Sequence, residues 1–137
     1  MMYVLDTNIC IYLIRQRPSS VIQKFQQLPD DSVGISTIVM SELVYGTAKS
    51  RRAESNLSAL RKLLVSFEIY PFDENAALVY GTLRADLERQ GRIIGAMDML
   101  IAAHALSQNL ILVTNNEREF SRIPNLRVEN WVNTPVE

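Results

Sequence analysis

Short apolar runs alternate along the chain with longer segments in which apolar residues recur every three or four positions, as strands alternating with amphipathic helices do. Met2 to Leu5 predicts a first strand, and Asn8 to Arg17 a helix that Pro18 ends. A second helix fits Ser20 to Leu28, with Ser19 or Ser20 as N-cap and Pro29 beyond its end. Ser32 to Ser36 predicts a short strand, after which Ser36 or Thr37 caps a helix carrying Ile38, Val39, Glu42, Leu43 and Tyr45. A polar, basic helix follows from Ala53 to Ser66, and Phe67 to Tyr70 is strand-like. Asp73 caps a helix with Ala76, Ala77, Tyr80, Leu83 and Leu87 at helical spacing and Gly91 as its stop. Met97 to Gln108 is the next helix and Leu110 to Val113 the most apolar late strand. Glu117 to Arg122 predicts a short helical piece, and Arg127 to Trp131 a final edge strand. This order predicts an α/β sandwich around a mainly parallel sheet.

At 137 residues the chain is expected to form one domain, residues 1–137, with enough buried surface to need no staples. A single cysteine, Cys10, excludes an internal disulfide framework and a Cys-rich zinc site, and its apolar helix places it in the core. A single histidine, His104, excludes a two-histidine acid–base pair, and its spacing to Leu100 and Ser107 predicts a structural or partly exposed residue. No signal core or membrane-spanning run is visible, so a cytoplasmic location without membrane association is expected. Lys and Arg total 14 against 15 Asp and Glu, a formal net charge of −1, which argues against a generally basic nucleic-acid coat.

The placement of the acids changes that picture. In open parallel sheets, sites gather beyond the carboxyl ends of the strands. Asp6 follows the first strand directly, and Asn115 and Asn116 follow the Leu110 strand. Glu42 sits early in the helix leaving the second strand, and Asp98 opens the helix leading to the Leu110 strand. Glu42 is flanked at helical spacing by Ile38, Val39, Tyr45 and Gly46, and Asp98 by Ile94, Gly95, Ile101 and Ala102. Glu54, by contrast, has Ser50, Arg51, Leu57 and Ser58 at those spacings, the pattern of a solvated face. A carboxylate on an apolar stripe needs a cation, a proton or a hydrogen-bond cage. No Lys occurs after Lys62, so a divalent metal with oxygen ligands, Mg²⁺ or Mn²⁺, is the simplest partner. Each acid also has a plainer reading: Asp6 as a helix cap, Glu42 in a pair with a distant Arg, Asp98 as the N-cap of a later-starting helix.

Four segments in order carry a family resemblance: Leu5-Asp6-Thr7-Asn8, Ser41-Glu42-Leu43, the run from Ile94 to Ala105, and Leu112 to Phe120 with Thr114-Asn115-Asn116 at its centre. The chain resembles the PIN-domain ribonucleases, and among them the VapC toxins of bacterial toxin–antitoxin pairs, over nearly its whole length. The resemblance implies a PIN-like three-layer α/β/α sandwich with about five mainly parallel strands. It implies Mg²⁺- or Mn²⁺-dependent RNA endonuclease activity with Asp6, Glu42 and Asp98 as metal ligands and Thr7 and Thr114 orienting carboxylates. Many PIN domains carry a fourth acid in the loop where this chain has Asn116. Two roles stay open for Asn116, metal contact through water or positioning of ligands, and Glu119 is a candidate for the missing charge. The likeness extends to members that cut the anticodon stem-loop of initiator tRNA, and implies a VapB-type antitoxin partner and a homodimer.

Two other function classes fit the length and fold class, a Mg²⁺-dependent phosphatase with an aspartyl nucleophile and a phospho-accepting signalling module. Both favour a second acid beside the first and a late Lys, whereas Asn8 stands two residues after Asp6 and no late Lys exists. Setting Asp6, Glu42 and Asp98 aside leaves the remaining charge slightly basic. Between Tyr45 and Val65, Lys49, Arg51, Arg52, Arg61 and Lys62 face Glu54 alone. Lys49, Arg51 and Arg52 are candidate RNA-backbone contacts; a solvated helical face is the alternative.

Overall fold

The alternation folds as β1 (Tyr3–Leu5), α1 (Thr7–Arg15), α2 (Ser19–Gln27), β2 (Val33–Ser36), α3 (Thr37–Ala48) and α4 (Ala53–Val65), continuing through β3 (Glu68–Tyr70), α5 (Glu74–Arg89), α6 (Ala96–Ser107), β4 (Ile111–Val113), α7 (Glu117–Phe120) and β5 (Val128–Glu129). The computed structural model describes residues 2–132, so the outermost ends of the sequence reading lie outside the described residues. The five strands form one sheet in the order β3-β2-β1-β4-β5, every pairing parallel. Among the described residues no helix is long and apolar enough to cross a membrane.

Local chemistry starts the helices where the sequence places them. Asp6, Ser36 and Asp73 accept, through their side chains, from the backbone N–H of Ile9, Val39 and Ala76 at 3.0, 3.2 and 3.0 Å. Gly91 takes a left-handed φ of 66° just after α5, the conformation expected of its stop signal. Elsewhere the boundaries differ. α2 begins at Ser19 with Pro18, which has no side-chain acceptor, in the cap position, and the Ser20 hydroxyl donates to the Val132 carbonyl at 2.6 Å. α6 starts one residue early, with Gly95 in the cap position, so Asp98 lies within the first turn and is not an N-cap. α7 stops at Phe120, and the last strand keeps only two of its five expected residues, since only Leu112 and Val113 of β4 find partners there.

The core is the central sheet and the helix faces against it: Val4, Leu5, Ile35, Leu112 and Val113 are buried with Ile9, Val39, Met99 and Phe120. Cys10 is fully buried, as its apolar surroundings predict. Gly34 is required for β2 to meet β3, because a Cβ there would stand 2.5 Å from the Glu68 carbonyl oxygen and 2.6 Å from the Tyr70 ring. The chain runs outward from β1 through β2 to β3, then crosses to β4 on the other side of β1. That reversal opens a crevice between β1 and β4 at the carboxyl edge of the sheet.

Candidate active site

Asp6 and Thr114 end the two strands that flank the crevice. The Asp6 backbone N–H donates to the Val113 carbonyl at 3.0 Å, which ties the first acid to the end of β4. Asp6 is only 6% exposed, and the plainer reading of it as a cap is correct as far as it goes, since one carboxylate oxygen accepts from Ile9. Burial pushes its carboxyl above the usual range. Hydrogen bonds from the Thr114 side chain and the Ile9 backbone oppose that rise, and the charge of Glu42 adds to it. Thr114, fully buried, accepts at Oγ1 from the Asn116 backbone N–H at 2.9 Å, so its own hydroxyl proton is directed to Asp6.

Glu42 lies one turn into α3, and its carboxylate accepts from Thr7 Oγ1 at 2.6 Å. That contact brings α1 and α3 together and replaces the distant Arg that a plainer reading required. Asp98, half-buried in the first turn of α6, has its carboxyl raised to about 7. Burial is the largest cause, followed by the hydrogen bond and charge of Glu119, then the charges of Asp6 and Glu42. Glu119 moves the opposite way. Its carboxyl is held below the usual range, first by Asp98, then by the Gly95 backbone N–H, with Asn116 and the positive Arg122 also lowering it. Asp98 and Glu119 therefore titrate as a hydrogen-bonded pair, Asp98 pushed up and Glu119 held down.

Four carboxylates from α1's cap, α3, α6 and α7 thus act on one another at one edge of the sheet. The sequence places Asp6, Glu42 and Asp98 there; Glu119 joins because α7 folds back over the start of α6. The sequence signal for Glu119 is its spacing from Asn116, which matches a helix capping box. As the side chains stand, no three carboxylates, histidines or cysteines among the described residues are gathered into a ready-made metal cage. Glu42 is turned to Thr7, and Glu119 to Gly95 and Asn116. The donor set nevertheless fits a hard divalent cation. All its atoms are oxygens, and the neighbouring negative charges that push up Asp6 and Asp98 are what an ion would offset.

Beside the acids, a cleft of about 290 Å³ runs between α1 and α3, lined by Ile11, Ile14, Arg15, Glu42, Gly46 and Ser50 among others. Lys49, Arg51 and Arg52 are exposed in the turn that follows α3, next to Ser50 at the cleft's end. The Lys49 ammonium stands 4.7 Å from the centroid of the Tyr45 ring, which is 65% exposed. Asn115 turns away from the acids, donating to the Tyr12 hydroxyl and accepting from Asn130.

His104 is not part of this cluster. It is fully buried on α6, its ring tilted against Tyr70 at 5.9 Å, and neither nitrogen has a hydrogen-bond partner among the described residues. The structural half of its sequence reading is right and partial exposure is not, because α6 is buried nearly all round. Burial lowers its pKa, with Asp73 opposing. The unfolded chain takes up a proton near pH 6.5 that the folded protein resists, so this residue's contribution is intact above 6.5 and lost as pH falls below it. Asp98, raised in the fold, pulls the other way. Comparing wild type with His104→Gln isolates the effect: between pH 7.5 and 5, the wild type loses more of its urea midpoint than the variant does. Equal losses would show that the histidine contributes nothing.

A family model for the PIN domain matches residues 3–126. The chain is 48% identical over 132 residues to Ribonuclease VapC2 of Rickettsia felis, covering 96% of this chain and 98% of that protein. It is 43% identical over 129 residues to the tRNA(fMet)-specific endonuclease VapC of Shigella flexneri, covering 94% and 97%. Its fold superposes with a TM-score of 0.90 on a chain in the crystal structure of Rickettsia felis VapBC2 bound to a DNA fragment from their promoter, at 47% identity over 96% of this chain and 99% of that one. With this sheet order, this set of acids and likeness over nearly its whole length, the chain belongs to the PIN-domain family, among the VapC ribonuclease toxins.

Proposed function

We propose that the chain is a Mg²⁺- or Mn²⁺-dependent endoribonuclease that hydrolyses a phosphodiester bond in the anticodon stem-loop of initiator tRNA, leaving 5′-phosphate and 3′-hydroxyl ends. The convergence of Asp6, Glu42, Asp98 and Glu119 at the β1/β4 crevice carries the reading. Burial and then the neighbouring Glu119, Asp6 and Glu42 raise the Asp98 carboxyl to about 7, and together the four acids form an anionic pocket that repels RNA until a cation enters. Bound there, a divalent ion would supply an acidified water as nucleophile and neutralise charge on the phosphate. Thr114 and the Ile9 amide hold the Asp6 carboxylate in one orientation, and Thr7 does so for Glu42. Asp98, beside Glu119, would complete the oxygen ligand set with Asp6 and Glu42. Lys49, Arg51 and Arg52, at the end of the adjoining cleft, would hold the RNA backbone.

The tRNA substrate is supported by the Shigella flexneri relative named for initiator tRNA, and a VapB-type antitoxin by the VapBC complex of Rickettsia felis. We take the active form to be a cytoplasmic homodimer, restrained by that antitoxin. The aspartyl-phosphate readings lack support: Asn8 is exposed where a second acid is required, and no Lys follows Lys62.

Purified protein is incubated with initiator tRNA and Mg²⁺, and the new ends are identified by labelling. Cutting within the anticodon stem-loop with 5′-phosphate ends is expected, stopped by EDTA, restored by Mn²⁺ and suppressed by excess antitoxin. Undiminished cleavage in EDTA, or 2′,3′-cyclic phosphate ends, overturns the mechanism.

A further inference from the structure

Asn116 and Glu119 occupy the N-cap and the third helical position of α7. A capping box at that spacing has the cap side chain accept from the N3 backbone N–H, while the N3 carboxylate accepts from the cap's own N–H. Neither bond forms. The Asn116 side chain makes no capping hydrogen bond, and its backbone N–H donates to Thr114 Oγ1 instead. Asn116 Nδ2 donates to Glu119 Oε2 at 2.6 Å, and Glu119 Oε1 accepts from the Gly95 backbone N–H at 3.1 Å, at the start of α6. A four-residue helix thus gives up both local bonds that would stabilise its start; the Asn116 side chain is committed to Glu119, and Glu119 reaches across to Gly95. Both carboxylates come close to Gly95: a Cβ built there would stand 3.8 Å from Asp98 Oδ2 and 3.9 Å from Glu119 Oε1.

The geometry points to Asn116 as a positioning residue whose side-chain amide holds the Glu119 carboxylate against Asp98. The inference rests on the metal-site reading above and deepens it. The charge that many PIN domains carry at the position of Asn116 is supplied here one helical turn later. An amide is needed in its place because a donor, unlike a second carboxylate, attracts Glu119. Asn116 also links the two halves of the cluster: its backbone N–H orients the Thr114 hydroxyl toward Asp6, and its side chain orients Glu119 toward Asp98.

Mn²⁺ binding to the full chain, without RNA, tests this by electron paramagnetic resonance, with thermal melting as the control for folding. Asn116→Ala and Glu119→Ala are each expected to weaken Mn²⁺ binding about 10- to 100-fold. In the Glu119→Ala background, adding Asn116→Ala should cost nothing more, because the amide acts only through that carboxylate. Unchanged Mn²⁺ affinity in Asn116→Ala overturns the proposal. So does a full further loss in the double variant, which marks Asn116 as merely structural. Asp6→Asn separates the two levels: if it binds Mn²⁺ like the wild type, the metal-site reading itself fails. Weak binding by Asp6→Asn together with normal binding by Asn116→Ala overturns only the positioning role.

Discussion

Replacing Asp6 with Asn is expected to slow cleavage of initiator tRNA by about 100- to 10,000-fold while leaving the protein folded, since metal coordination supplies several kcal/mol of transition-state stabilisation. Asp6 has two jobs, and the substitution separates them. As a cap it accepts from the Ile9 N–H at 3.0 Å, and Asn caps helices about as well as Asp. What disappears is a negative charge 6% exposed among Glu42, Asp98 and Glu119. Removing it relieves repulsion, so the melting temperature at pH 7.5 should hold or rise. Full-rate cleavage by the variant with Mg²⁺ would remove Asp6 from the site, whereas a collapse of the melt would show that the charge itself is structural.

Trp131→Ala is expected to cost about 3–5 kcal/mol of stability, a large part of the 5–15 kcal/mol typical of a protein this size. Trp131 is 1% exposed just beyond β5, its ring edge-on to Tyr3 of β1 at 5.7 Å and its indole N–H donating to Glu129 at 3.1 Å. The loss would be felt at the active site. β5 is only two residues long, and its Glu129 carbonyl accepts from the Thr114 N–H at 3.0 Å, the same Thr114 that orients Asp6. Urea unfolding measures the stability, and tRNA cleavage well below the midpoint measures the coupling. A loss under 1 kcal/mol would mean that β5 is held by its ladder bonds alone.

Legibility in the sequence falls off with the range of the interaction. Apolar periodicity, the caps at Asp6, Ser36 and Asp73, and the stop at Gly91 are interactions within a few residues, and they place every element to within a few positions. The three early acids are legible for the same reason, because each sits beside a strand end or on an apolar helical stripe where an unpaired carboxylate is costly. His104 shows the boundary of such reasoning: helical spacing identifies its neighbours on α6 but not the β3 tyrosine that closes over it.

The sequence by itself determined the α/β class, the parallel sheet and three carboxylates that the fold brings together. Only the tertiary structure decided the strand order that opens the β1/β4 crevice, the partner of Glu42 and the entry of Glu119 into the cluster. The physical reason is competition between near and distant partners. Glu119 carries a local capping signal, yet the fold brings Gly95 and Asp98 within reach, and a carboxylate bound to those groups is better satisfied than one spent on a single turn of helix. Ser20 likewise leaves its own helix for the Val132 carbonyl 112 residues away. Spacing along the chain says which bonds are available locally; packing decides which of them are worth making.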